Sequence, residues 1–363
     1  MAKTLYVVST EPYSGKSAIS LALAMGFRDK GLAVRYMKPI GASLRRFGDD
    51  FIDEDAYFAW QVLGTEADWD LASPVLLTQE LMEASLHGPV SGLEEKIMDA
   101  LARLSEGQDL IIMEALSGLY SGLALGLPVS RIAELTDAKV LAVIAHHPNP
   151  DLDGILAVRD ACGESEGCGE LGQRLAGIVI NGTPPRLVES LTERIKPFVE
   201  YHGLPFYGVL YRDKLLRSVS VAELVEELNG KVLCGHEGLD EMVETFLLGA
   251  MGGQAALRHF QRTPNKAIIT GGDRSDIQLA ALQTSTRCLI LTGNLRPNVR
   301  VLSLAAEQGV PVVLVREDTL TTSERVEAAI GHVRLSSPKQ VARLKETISE
   351  YQPLVDGLYE KLF

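Results

Sequence analysis

The sequence predicts an α/β protein: a parallel-sheet domain, a second and smaller α/β layer after it, and a helical tail. Three observations carry that reading. A short apolar run, Leu5-Tyr6-Val7-Val8, passes through one polar loop straight into the helix-patterned residues 18–25. Apolar strands and amphipathic helices then alternate to about residue 212, an order that implies parallel pairing through crossover helices. From about Ser218 the alternation starts again. The expected divisions are therefore 1–212, 213–335 and 336–363.

The loop between the first strand and the first helix is Ser9-Thr10-Glu11-Pro12-Tyr13-Ser14-Gly15-Lys16-Ser17. A strand that turns into a helix through Gly-Lys-Ser aims several backbone N–H groups at one point, at the positive end of the helix dipole, where phosphate binds. Lys16 would reach the terminal phosphates and the Ser17 hydroxyl would help to hold Mg²⁺. Thr10, Ser14, Gly15, Lys16 and Ser17 are the candidate phosphate contacts. The strict phosphate-loop pattern has a glycine where this chain has Thr10, and an ordinary strand-to-helix turn is the alternative. Glu11-Pro12-Tyr13 supplies no second lysine of the kind ParA/MinD-type ATPases carry near the start of this loop.

Gly31 closes the first helix, and the strand 33–37 delivers Lys38-Pro39-Ile40-Gly41 at its C-terminal end, where open parallel sheets bind ligands. Lys38 can meet the same ligand as Lys16, or it can be a solvated surface lysine. Asp49, Asp50, Asp53, Glu54 and Asp55 lead into a helical run over 56–63. Asp55 is the candidate Mg²⁺ carboxylate, with helix capping the competing reading. Residues 73–78 read as a loop or edge segment and 93–104 as an amphipathic helix. The strand 109–114 ends in Glu114, a position suited to a second metal-binding or water-activating acid, or to a carboxylate that only fixes the next loop.

The run 110–129 has the length of a membrane span. It is broken by Glu114, Gly118, Gly122, Gly126 and Pro128, so a buried strand and a glycine-rich loop are expected. A helix at 131–135 and a strand at 140–145 follow. His146 and His147, adjacent on extended backbone and pointing apart, read as loop residues. Beyond them come a helix at 151–161, a small-residue acidic loop at 163–172, a strand at 176–180 ending at Asn181, a helix at 187–199 and a strand at 205–210. No Asn-Lys-x-Asp motif follows the later strands, which disfavours a Ras-type GTPase.

In the second half the expected elements are a helix at 222–228, a strand at 231–233, a helix at 239–248, a glycine-rich turn at 249–253, and a strand at 267–269. That last strand runs into Thr270-Gly271-Gly272-Asp273-Arg274-Ser275-Asp276 and a helix at 277–283. This tight turn makes Gly271, Gly272, Asp273, Arg274 and Asp276 candidates for anionic-ligand binding or an interface, or simply a structural turn. The strand 288–291, the helix 301–308 and the strand 310–315 complete three strand–helix units, and 339–362 has helical periodicity.

The chain has 363 residues, 46% of them hydrophobic and 23% charged, which allows two ordinary globular cores. A formal net charge of -13 argues against a general nucleic-acid binder, which needs a basic surface. The four cysteines, Cys162, Cys168, Cys234 and Cys288, contain no C-x-x-C pair, so neither a zinc site nor a disulfide framework is indicated. A cytoplasmic location without signal peptide or membrane helix is expected.

Residues 3–212 resemble dethiobiotin synthetase and the dethiobiotin-synthetase-like domain at the N-terminus of long phosphotransacetylases. The resemblance rests on Gly15-Lys16-Ser17, Lys38-Pro39, Asp55-Ala56, the strand ending in Glu114, and Asn181. It implies ATP and Mg²⁺ as cofactors, with Lys16, Lys38 and Glu114 in catalytic positions, Ser17, Asp55 and Glu114 on the metal, and Asn181 at the adenine. Two departures favour nucleotide binding over carboxylation of a diamine: Ala115-Leu116-Ser117-Gly118 stands where the synthetase has a glycine run, and Ala42 where it has a substrate-binding serine. Residues 215–330 resemble the DRTGG domain, through Gly271-Gly272-Asp273-Arg274-Ser275-Asp276 and Glu317-Asp318-Thr319. The two halves together resemble the N-terminal part of long phosphotransacetylases without the acyltransferase domain. The resemblance implies an ATP-binding regulatory or scaffold protein, a homo-oligomer with a metabolite or protein partner at its DRTGG domain. The alternative is an ATP-dependent carboxylate ligase of the dethiobiotin synthetase or cobyrinic acid a,c-diamide synthase type.

Overall fold

The longest uninterrupted apolar strands of the sequence lie side by side at the centre of the first sheet, because residues buried on both faces must be covered by helices on both sides. The computed structural model describes residues 2–48, 50–65, 68–162, 174–331, 335 and 337–363. Asp49 and the expected acidic loop at 163–172 lie outside the described residues. The chain divides into two compact units, Met1–Arg212 with Arg334–Phe363, and Asp213–Val333.

In the first unit six strands are all parallel: β1 (Lys3–Ser9), β2 (Val34–Met37), β3 (Leu110–Glu114), β4 (Lys139–Ala145), β5 (Leu175–Thr183) and β6 (Phe206–Tyr211), in the spatial order β6-β5-β4-β1-β3-β2. From β1 the chain goes to the edge strand β2, returns to β3 beside β1, and then crosses to β4 on the other side. The winding reverses around β1, which opens a crevice beyond its C-terminal end. Leu5, Val7 and Val8 of β1 are fully buried, and Val7 lies opposite Glu114 in the ladder. Helix α1 (Lys16–Asp29) begins at that crevice and α2 (Glu54–Val62) follows a short hairpin, Leu44–Phe47 with Asp50–Asp53.

The tail forms two helices, Pro338–Glu346 and Gln352–Leu362, which lie against α1. Gly26 of α1 makes that approach close: a Cβ there would sit 2.7 Å from Val355.

The second unit has a five-stranded sheet of β7 (Lys231–Cys234), β8 (Thr245–Leu248), β9 (Lys266–Gly271), β10 (Thr286–Thr292) and β11 (Val312–Leu314), ordered β7-β11-β10-β9-β8, with only β7 antiparallel to its neighbour. Alternate residues face opposite layers. Ile269, Ile290 and Val313 pack with Leu224 and Val326, while Ile268, Leu289 and Leu291 pack with Phe260, Ile277 and Val301.

One expected element is corrected. Residues 239–248 form no helix: Met242–Val243 pairs antiparallel with Val219–Ser220, and Thr245–Leu248 is β8, parallel to β9. Leu239, Met242, Val243, Phe246 and Leu247 have helical spacing, but β-branched and aromatic residues here complete a sheet edge, and pairing with β9 overrides the local period.

Candidate functional site

The end of β1 and the start of α1 enclose the loop Ser9–Ser17. Gly15, at φ 91°, is the N-cap of α1 and no side chain caps the helix, so its first N–H groups have no side-chain acceptor. A Cβ on Gly15 would collide with the Asn181 amide, whose Nδ2 donates to the Ser14 carbonyl at 2.8 Å. Asn181 thus holds the loop from the end of β5. The hydroxyls of Thr10 and Ser14 are buried without a hydrogen-bond partner. Such groups cost free energy unless something completes them.

Lys16 is 7% exposed and its Nζ donates to Ser9 Oγ at 2.7 Å and to the Ser117 carbonyl at 3.5 Å. Burial pushes its pKa down, opposed by the negative charge of Glu114. Ser17 Oγ donates to Glu114 Oε1 at 2.7 Å, and Tyr36 OH donates to Glu114 Oε2 at 2.8 Å. Glu114 is buried, and that burial raises its pKa against the pull of Lys38 and Lys16.

Lys38 lies one strand further on. Its Nζ donates to Asp53 Oδ1 at 3.1 Å and also to Asp55 Oδ2. Burial alone would lower the Lys38 pKa, but Asp55 and Asp53 overcome it and the net shift is upward. Asp53 also accepts from the backbone N–H of Ser43 and Ala56, each at 3.0 Å, and so caps α2. The loop, Ser17, Glu114, Lys38 and Asp55 are brought to one place. Ser17, Tyr36, Asp55 and Glu114 line one small cavity with Leu21, Phe58, Ala59 and Leu335.

Sequence reasoning missed Tyr36 and undervalued Asp53. The signal for Asp53 was its own place directly before the helical run, where aspartate is a favoured N-cap; nothing near Tyr36 in the sequence points to Glu114. Among the described residues no group of three or more His, Cys, Asp or Glu side chains is gathered as a metal site. A cation here would depend on Ser17 as well as on carboxylates, and the Ser17–Glu114 pair suits an oxygen-seeking ion. His146 and His147 border the loop: His147 Nε2 lies 2.7 Å from Glu11 Oε1, and His146 donates its backbone N–H to the Asn181 carbonyl. No helix among the described residues is long and apolar enough to cross a membrane.

In the second unit the turn 270–276 is tied internally. Arg274 pairs with Asp276 at 3.1 Å and donates to the Met251 carbonyl at 2.7 Å, while Asp276 accepts from Gly253 N–H at 3.2 Å. The buried Gln278 donates to the carbonyls of Gly271 and Gly272 at 2.9 and 3.1 Å. Gly272 has no room for a Cβ because the Leu295 carbonyl lies against it. Asp273 is exposed.

A family model described as an AAA domain matches residues 3–220, and one described as a DRTGG domain matches residues 223–329. A phosphate acetyltransferase of Synechocystis sp. is 26% identical over 377 residues, covering 100% of this chain and 51% of that protein. The ATP-dependent dethiobiotin synthetase BioD of Methanocaldococcus jannaschii is 27% identical over 121 residues, 32% of this chain and 53% of that protein. A solved structure of the CBS and DRTGG domains of Clostridium perfringens pyrophosphatase, complexed with diadenosine tetraphosphate, overlaps 36% of this chain and 60% of that one, with 21% identity and a TM-score of 0.28. The chain spans about half the length of the curated phosphate acetyltransferases it matches, and it is similar to their N-terminal half. A phosphate-loop unit on a parallel sheet, followed by a DRTGG unit, is what both the sequence matches and the fold describe: the chain belongs to the AAA-domain family and carries a DRTGG domain behind that domain.

Proposed function

We propose that the first unit binds ATP with Mg²⁺ at the loop ending Gly15-Lys16-Ser17 and that the protein is a nucleotide-responsive regulatory or scaffold protein, akin to the N-terminal part of phosphate acetyltransferases. The observation that carries this reading is the pair of buried hydroxyls without partners, Thr10 and Ser14, in a loop that also presents Lys16 and the uncapped start of α1. A phosphate group supplies the acceptors these donors lack. Ser17, Glu114 and Asp55 would hold the Mg²⁺, which neutralises phosphate charge when bound. Asn181 would stand at the nucleobase end of the loop. The second unit would meet a metabolite or protein partner through the turn 271–276, in a cytoplasmic homo-oligomer.

The ligase alternative needs Lys38 to assist a phosphoryl transfer. Its ammonium is paired with Asp53 and Asp55, and because Asp55 must also leave that pair to hold Mg²⁺, turnover and not the pair separates the two readings. Titration calorimetry of ATP-Mg²⁺ and GTP-Mg²⁺ into the wild type and Lys16→Ala, with ADP release followed in the same samples, tests the proposal. Binding with little turnover that Lys16→Ala weakens at least tenfold is expected, since a charged hydrogen bond to phosphate is worth about 1.5–3 kcal/mol. No binding at millimolar nucleotide overturns it, and ADP release only with an added carboxylate establishes the ligase instead.

A further inference from the structure

We propose that Tyr36 is a positioning residue of the nucleotide site, fixing the Glu114 carboxylate so that it and the Ser17 hydroxyl face a divalent cation together. This inference rests on the reading of the first unit as an ATP-Mg²⁺ site. A carboxylate at the end of a buried strand has two oxygens and one soft torsion, and an unheld carboxylate would turn toward whichever cation is nearest. Here each oxygen has one donor: Ser17 at Oε1, 2.7 Å away, and Tyr36 at Oε2, 2.8 Å away. The two donors come from different elements, Ser17 from the first turn of α1 and Tyr36 from β2, the strand paired with β3. Lys16 and Lys38, the cations nearest by charge effect, are held by other partners, Lys16 by Ser9 and Lys38 by Asp53 and Asp55.

Tyr36 is itself immobilised. Its side chain is 1% exposed and its backbone carbonyl accepts from Trp60 Nε1 at 2.8 Å. A fully buried tyrosine must place its hydroxyl on an acceptor, and here the acceptor is the same carboxylate that takes the Ser17 hydroxyl at the start of α1. Partners of this kind, one bond removed from a metal ion, set its affinity by about 10–100-fold.

The test is Tyr36→Phe, which keeps the ring and removes the hydroxyl. ATP affinity is measured by calorimetry with Mg²⁺ and with EDTA, in the wild type, Tyr36→Phe, Glu114→Gln and the double variant. The expected result is a drop of about tenfold in Tyr36→Phe with Mg²⁺, no change with EDTA, and no further loss when Tyr36→Phe is added to Glu114→Gln. If the wild type binds ATP-Mg²⁺ and Tyr36→Phe keeps its Mg²⁺ dependence, the inference falls and the nucleotide site stands. An equal loss with Mg²⁺ and EDTA, or a loss that persists in the Glu114→Gln background, also overturns it, because the bond is then part of general packing. A wild type that binds no ATP overturns the nucleotide site and this inference with it.

Discussion

Gly15 is the residue at which local geometry and the binding loop depend on one atom. Its φ of 91° is strained for any side chain, and the space a Cβ would fill is taken by Asn181. Gly15→Ala is expected to lose at least 1 kcal/mol of stability and most ATP affinity, because the Asn181 bond to Ser14 must break. Thermal melts together with calorimetry check this, and a variant with wild-type affinity would show that the loop tolerates displacement. The need for glycine was legible from the Gly-Lys-Ser pattern, as was the placing of Lys16 and Ser17 at the start of α1, and that of Glu114 from the apolar strand it ends. The contact that enforces it was not, since Asn181 and Ser14 meet across 167 positions that no local period connects. Tyr36 was hidden for the same reason: a tyrosine in an apolar strand reads as core until its hydroxyl is seen on Glu114.

At the scale of elements, the helix Leu93–Leu104 was read to its ends and the central strands nearly to theirs, whereas the helices Gly253–Phe260 and Thr319–Gly331 went unread. Short edge pieces such as β8 were not read as strands, because five residues of helical spacing are outweighed by a neighbouring strand only in the folded sheet. Strand β9 carries an unusual start. Lys266 is fully buried, with Nζ on Thr284 Oγ1 and the Ser285 carbonyl and, among the described residues, no acid within salt-bridge distance, and burial pushes its pKa down to about 8. The unfolded chain, with an ordinary lysine near 10.4, binds more protons between these two values. Stability of the second unit therefore rises as pH climbs from about 8 to 10, as far as this one group decides it. Lys266→Met should flatten that rise and add roughly 1 kcal/mol at pH 7, since a buried charge without a counter-ion is replaced by an apolar chain of similar length. Denaturant melts at pH 7 and pH 10 decide it, and an unchanged pH slope would mean the ammonium is better solvated than its burial implies.

For the whole molecule, the first unit is completed by residues from the far end of the chain. Leu344, Leu354, Val355, Leu358 and Leu362 are buried, Asp356 pairs with Lys30 of α1 at 2.6 Å, and Lys3 of β1 bonds the Leu362 carbonyl. Burying each such side chain is worth about 1.5–3 kcal/mol before the ordering of two helices is subtracted. Ending the chain before Pro338 should lower the melting temperature of the first unit by roughly 10 °C or more. Calorimetry of the shortened protein checks this, and an unaltered transition would mean that these helices ride on α1 without holding it. A discontinuous first unit also fixes the order in which the two units gain their parts on the ribosome. Every residue of the second unit is made before the last helices of the first. The sheet that opens the chain must therefore wait with one side of α1 uncovered, exposed to chaperones and to other nascent chains, while the unit begun later already has all of its own sequence.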